Sequence, residues 1–131
     1  VSNDPLIILD VAHNPQAARA LSGSLANLLP GVPQVLVFGL LDDKDALDTV
    51  KPLGDNTRVC IVTKPVSERG ENWHRIEDYW RKLFPDTKIY EEESISGAID
   101  KAISLLRPKE CLVVTGSFYV LDEARQYLTD V

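Results

Sequence analysis

The sequence predicts an α/β fold in three layers, with a mostly parallel sheet of about five strands and helices on both faces. Three observations carry this. Short apolar runs alternate with amphipathic stretches along the whole chain. The runs are continuous, as in strands buried on both faces, where half-buried strands would alternate with polar residues. The stretches between them are long enough for the helical crossovers that parallel strands require.

Residues 6–10, Leu-Ile-Ile-Leu-Asp, read as the first strand. Asn14 is a good helix cap and Pro15 suits a first helical position. A helix is predicted over 15–29, with Ala18, Leu21, Leu25 and Leu28 on one face, stopped by Pro30-Gly31. Residues 35–39 form a second strand and 40–45 a charged turn. A short helix follows through Lys51, ended by Pro52 and Gly54. The third strand is 59–63, and 64–70 a loop. The next helix carries Trp73, Ile76, Trp80 and Leu83 on one side and ends at Pro85. A short fourth strand covers 87–90. Ser94 caps a helix with Ile95, Ala98, Ile99, Ala102, Ile103 and Leu106 inward, stopped by Pro108. The fifth strand is 111–115. The turn at Gly116-Ser117-Phe118-Tyr119 opens a last helix, with Val120, Ala124, Tyr127 and Leu128 facing the sheet.

The bulk numbers bound the function. A chain of 131 residues suits one domain with a single core. A net charge of -6 argues against a nucleic-acid partner, which would need clustered Lys and Arg. The apolar runs are too short for a membrane span, and no signal peptide is read at the start. Cys60 and Cys111 each sit in an apolar strand and are expected to be buried thiols, which points to a reducing, cytoplasmic setting. With His13 and His74 they form no metal-ligand spacing, so no metal site is expected from this chain. The opening Val1-Ser2-Asn3-Asp4-Pro5, without a Met, suggests a piece of a longer chain.

Right-handed crossovers send the carboxyl end of every parallel strand to one edge, and ligands of open α/β sheets bind there. Three unusual turns fall on that edge. After the first strand come Asp10, able to accept from a ribose hydroxyl pair or merely to pin the turn, and His13, able to donate to a phosphate or carboxylate or to lie in solvent. Asn14 caps the helix, with an amide left over for a ligand. After the second strand, Lys44 offers a point cation for a substrate carboxylate, with Asp42, Asp43 and Asp45 expected to keep it charged and oriented; the plainer reading is a solvated loop. After the fifth, Gly116 allows close backbone approach and Ser117 brings a hydroxyl and an amide to a helix start. Phe118 and Tyr119 suit packing. Arg69 reads as a solvated loop residue. Neither a G-x-x-x-x-G-K-[ST] phosphate loop, nor a G-x-G-x-x-G fingerprint, nor a G-x-S-x-G elbow is present, so the chain holds anion-contacting corners and no phosphate-transfer centre of its own.

These turns carry a resemblance. Asp10-Val11-Ala12-His13-Asn14-Pro15 resembles the D-x-A-H-N-P motif of the C-terminal domain of the Mur ligase superfamily. Gly39-Leu40-Leu41-Asp42-Asp43-Lys44-Asp45 resembles the G-x-L-x-D-K-D turn of the superfamily's folate branch, and Thr115-Gly116-Ser117-Phe118-Tyr119 resembles that branch's G-S-F/L-Y ending. The branch comprises folylpolyglutamate synthase and the bifunctional dihydrofolate synthase. The resemblance covers essentially the whole chain but only the last third of a complete enzyme. It implies a Rossmann-like sandwich whose sheet usually gains a sixth, antiparallel strand, hence five or six strands in all. It implies an N-terminal P-loop ATPase domain outside this chain, on which the domain 1–131 would pack, and which would supply most ligands of a Mg2+ ion. ATP would convert a carboxylate of folate or dihydropteroate to an acyl phosphate, and the amine of L-glutamate would attack it.

Position by position, the resemblance implies ATP binding for Asp10, His13 and Asn14, and glutamate binding for His13, Lys44 and Ser117, with no catalytic residue in this stretch. The isolated domain is expected to be inactive and the enzyme a monomer. Two other readings stand beside this one. The first is the C-terminal domain of a cell-wall Mur amino-acid ligase, disfavoured by the D-K-D and G-S-F-Y turns. The second is a freestanding Rossmann-like binding module.

Overall fold

In the computed structural model, which describes residues 6–65 and 72–129, five strands join in one sheet and every neighbouring pair is parallel. The strands are β1 (Leu6–Val11), β2 (Gln34–Gly39), β3 (Thr57–Thr63), β4 (Lys88–Glu92) and β5 (Cys111–Gly116). The helices are α1 (Pro15–Leu28), α2 (Ala46–Val50), α3 (His74–Leu83), α4 (Ile95–Leu105) and α5 (Phe118–Thr129), with a single 3-10 turn at Lys51–Leu53. The expectation of five or six strands is met at five among the described residues. Arg69 and most of its loop lie outside them.

The spatial order is β1-β5-β2-β3-β4. The first four strands are laid down in one direction, leaving a gap beside β1. The chain then crosses back and β5 fills that gap. Each face of the sheet has its own core. Ile8, Leu36, Phe38, Cys60, Val62, Ile89, Cys111 and Val113 pack with residues of α1, α2 and α3. Val35, Val37, Val59, Ile61, Leu112 and Val114 pack with α4 and α5. Alternate strand residues point to opposite faces, so a strand covered on both must be apolar at every position. β2 and β5 are buried at all six of their residues.

The helices start where their caps dictate. Asn14 Oδ1 accepts from the Ala17 amide at 2.8 Å, and Ser94 Oγ accepts from the Gly97 amide at 3.0 Å. Each satisfies one of the donors that a helix start leaves unpaired. α3 is held by Trp80, fully buried and edge-on to Phe38 with ring centroids 5.9 Å apart, and by Phe84 at 5.4 Å from Trp80. Two inward assignments are corrected. Leu28 is 78% exposed and Ile103 41%. Leu28 is the last residue of α1, and Ile103 lies in the last turn of α4; both carry the helical period and neither is covered.

At the amino edge of the sheet, Arg58 Nε and Nη2 reach both oxygens of Glu110, at 2.6 and 2.8 Å, while Nη2 also donates to the Leu105 carbonyl. This two-pronged contact binds β3 to the start of β5 across β2. The Arg58 guanidinium holds the Glu110 carboxyl below its ordinary value, outweighing the effect of burial. A depressed carboxyl stabilises the fold above the unfolded-state pKa of about 4.3, and that contribution is lost as pH falls through the folded value. Glu110→Gln is therefore expected to cost about 1.5–3 kcal/mol at pH 7. The deficit should shrink as pH falls below the unfolded-state value and through the lowered folded one, as the native carboxyl becomes protonated as well. Paired thermal melts from pH 7 to pH 3 check this, and a deficit constant with pH would refute it.

Candidate ligand-binding rim

All five strands finish along one rim. The register sets Asp10 level with Thr115, Thr115 with Phe38, Phe38 with Val62, and Val62 with Glu91. One residue on, Val11 stands level with Gly116 and Gly116 with Gly39. The end of β5 is thus flanked by the first motif on one side and the second on the other. The exit from β5 leads to α5 on one face, while those from β1 and β2 lead to α1 and α2 on the other. Both sides of β5 are therefore switch points of the kind that open a crevice.

The β5 terminus is built from close backbone contact. Gly116 has φ of +125°, and a Cβ there would lie 1.9 Å from the Gly39 carbonyl oxygen. A Cβ on Gly39 would meet Val120 Cγ2 at 2.4 Å. With neither present, the Ser117 amide donates to the Gly39 carbonyl at 2.8 Å, clasping the two turns. Ser117 is 5% exposed and its Oγ has no hydrogen-bond partner; the Thr115 Oγ1 is likewise buried and unpartnered. Ser117 therefore does not act as a side-chain cap, and its hydroxyl is buried at the start of α5. A buried hydroxyl without a partner costs about 1–3 kcal/mol, which a hydrogen-bonding ligand can return.

Asp10 and His13 are exposed on the β1 side of this crevice. By strand alternation Asp10 shares the face of Ile8, toward α1. Asn14 is occupied by its cap through Oδ1, and its Nδ2 lies 3.5 Å from His13 Nε2. On the β2 side, the turn that carries Lys44 differs from expectation. Asp42 does not attend Lys44: its carboxylate, 8% exposed, accepts from the Tyr79 hydroxyl at 2.8 Å and faces Arg75 Nη1 at 3.4 Å. Asp43 Oδ1 accepts from the Asp45 amide at 2.9 Å. Lys44 is exposed, and among the described residues it makes no ion pair with these acids. The acids build the turn, and the ammonium is left to the rim.

The contacts of Tyr79 and Arg75 were not anticipated. Tyr79 lies beside the apolar stripe of α3, and its partner is 37 residues away, so no local pattern announces it. His74, assigned only to a helix, also reaches the rim. Its Nδ1 is 2.8 Å from Glu91 Oε2, and its ring lies 4.1 Å from that of Trp73. Glu77 and Glu91 influence each other's ionisation. Burial first, then Glu91, raises the Glu77 carboxyl; Glu77 first, then His74, lowers that of Glu91. His, Cys, Asp and Glu side chains form no metal-binding group of three or more among the described residues, and no helix there is long and apolar enough to cross a membrane.

An open parallel sheet with an acid, an imidazole, an ammonium and a buried hydroxyl at its switch points has the form in which α/β domains build ligand crevices. The chain belongs to the family described as Mur ligase, glutamate ligase domain, whose model matches residues 1–118. A dihydrofolate synthase/folylpolyglutamate synthase of Buchnera aphidicola is 31% identical over 123 residues, covering 94% of this chain and 29% of that protein. The crystal structure of a folylpolyglutamate synthase from Thermotoga maritima superposes with a TM-score of 0.82 at 32% identity, covering 97% of this chain and 28% of that one. The solved structure of Escherichia coli FolC in complex with DHPP and ADP gives 0.84 at 25% identity, covering 99% of this chain and 30% of that one. The chain thus spans less than a third of the length of each of these relatives.

Gly116→Ala is expected to destabilise the domain by more than about 2 kcal/mol, because the new methyl must displace backbone and the residue must hold a positive φ. Gly23→Ala, on the open surface of α1 with nothing within 4 Å of the new Cβ, should be neutral or mildly stabilising. Thermal melts of the pair check the contrast.

Proposed function

We propose that this chain is the amino-acid-binding C-terminal domain of an ATP-dependent ligase that adds L-glutamate to a folate, a folylpolyglutamate synthase that also acts as a dihydrofolate synthase. The carrying observation is the shared rim. An acid, an imidazole, an ammonium and an unpartnered buried hydroxyl lie at the ends of three adjacent strands, in the order β1-β5-β2. The names of the relatives support the substrate class, and their extra length leaves room for an N-terminal ATPase domain, on which this one would pack.

In this reading Asp10 accepts from the ribose hydroxyls of ATP, with His13 and the Asn14 amide toward the phosphates. Lys44, Ser117 and His13 hold L-glutamate. ATP passes its terminal phosphoryl group to a carboxylate of the folate or dihydropteroate. The glutamate nitrogen then attacks the acyl carbon, a tetrahedral intermediate forms, the carbon–nitrogen bond is completed, the nitrogen loses a proton and phosphate departs. Most ligands of the Mg2+ ion that accompanies ATP belong to the N-terminal domain, and this chain contributes position. Aligning an amine with an acyl phosphate can remove on the order of 7–11 kcal/mol of barrier in favourable cases. Donors such as the Ser117 hydroxyl, aimed at charge on the bound amino acid, spend little on reorganisation because the fold has already dried and oriented them.

Lys44→Ala in the full-length protein is expected to raise KM for L-glutamate roughly 10- to 100-fold, the scale of one charge-assisted contact, with KM for ATP little changed. Asp10→Ala should do the reverse. Steady-state kinetics with each substrate varied in turn check both, and equal small effects from the two would overturn the assignments. The isolated domain should neither hydrolyse ATP nor ligate glutamate; turnover by the purified chain would refute its dependence on a second domain.

A further inference from the structure

We infer that Tyr79 and Asp42 are positioning residues for the amino-acid substrate: their hydrogen bond anchors the β2–α2 turn to α3 and thereby sets where the Lys44 ammonium stands. The inference rests on the reading that Lys44 meets a substrate carboxylate, and it adds a reason why the lysine can do so.

The turn is fixed at three points. At its start, Gly39 is clasped by the Ser117 amide at 2.8 Å. At its end, Asp43 accepts through its side chain from the Asp45 amide and through its carbonyl from the Ala46 amide at 3.2 Å, leading straight into α2. Between these, Asp42 is the one member of the acidic run whose carboxylate is turned inward against another helix, almost wholly out of solvent. Burying a carboxylate is costly unless it is hydrogen-bonded. Tyr79 provides that bond at 2.8 Å from a half-buried position, with Arg75 beside the second oxygen at 3.4 Å. The turn is thereby tied to a helix that is itself seated by the buried Trp80 and Ile76.

The same contact bears on charge. An Asp42 carboxylate loose in solvent would stand two residues from Lys44 and compete with a substrate carboxylate for it. Paired with Tyr79 and Arg75, it cannot. A flexible lysine on a floppy turn would also lose rotational and backbone freedom on binding, and that cost weakens affinity. The anchor removes the backbone share of it before substrate arrives. Tyr79 touches no substrate in this account and acts only through Asp42 and Lys44.

The test uses the full-length ligase and Tyr79→Phe, which keeps the ring and removes the donor. KM for L-glutamate is expected to rise roughly five- to tenfold, with KM for ATP and kcat within about twofold. Placed on a Lys44→Ala background, the same substitution should add little, because residues acting as one unit are not additive. Asp42→Asn, which keeps an acceptor for Tyr79, should be milder than Asp42→Ala; this pair carries the test if Tyr79→Phe fails to fold. Equal rises in both KM values, or a full Tyr79→Phe effect persisting without Lys44, would overturn the positioning role. A Lys44→Ala enzyme with unchanged glutamate KM would instead overturn the reading of Lys44 on which it rests.

Discussion

Gly116 and Gly39 stand side by side at the ends of β5 and β2, and no side chain fits between them. The rest of the rim depends on that contact. Among the described residues β5 is the last strand made and the only one inserted between two earlier ones. Its insertion brings the Thr115-Gly116-Ser117 corner between Asp10 on β1 and the turn that follows β2. A Cβ on Gly116 would push β5 from β2 at the point where Ser117 must approach Gly39, and one on Gly39 would run into Val120 of α5 and Thr63 of β3. Strands in a sheet are about 4.8 Å apart, so groups on β1 and β2, flanking β5, stand about 10 Å apart, a span that a small ligand can bridge.

A second feature of the rim is how a chain of net charge -6 leaves a cation exposed there without an acid among the described residues paired to it. Bulk charge governs long-range attraction, but a site is decided by the groups that face it. Asp42 and Asp43 lie immediately before Lys44, yet their oxygens are committed to Tyr79, Arg75 and the Asp45 amide. At the β4 end of the rim the Glu91 carboxyl meets His74 and that of Glu77 meets Arg81. These acids serve as internal acceptors, a structural use that net charge alone does not reveal.

The elements were legible because the two periodicities are strong. β2 and β5 are continuous apolar runs, and α3 carries its aromatic stripe at helical spacing. Their ends moved by a residue or two. β3 begins at Thr57, two residues early, where Gln34 Nε2 donates to Thr57 Oγ1 at 2.8 Å. β4 continues to Glu92 because Thr63 is there to pair with it. Leu28 and Ile103 misled because periodicity says which way a side chain points around its helix and not whether anything covers it. The candidate rim was legible as three turns at strand ends. Its support was not: Tyr79, Arg75, His74 and Glu91 meet partners 17 to 37 residues away in sequence.

By itself the sequence determined the alternation of strands and helices, the parallel arrangement that follows from helical crossovers, and the residue types at each turn, because these depend on local sterics and on the spacing of apolar side chains. Only the tertiary structure decided the strand order, the seating of β5 between β1 and β2, the burial of the Ser117 hydroxyl without a partner, and the diversion of Asp42 from Lys44 to Tyr79. Each of those depends on which backbones and side chains come within hydrogen-bonding distance once distant segments pack. Short-range patterns carry no record of such distances.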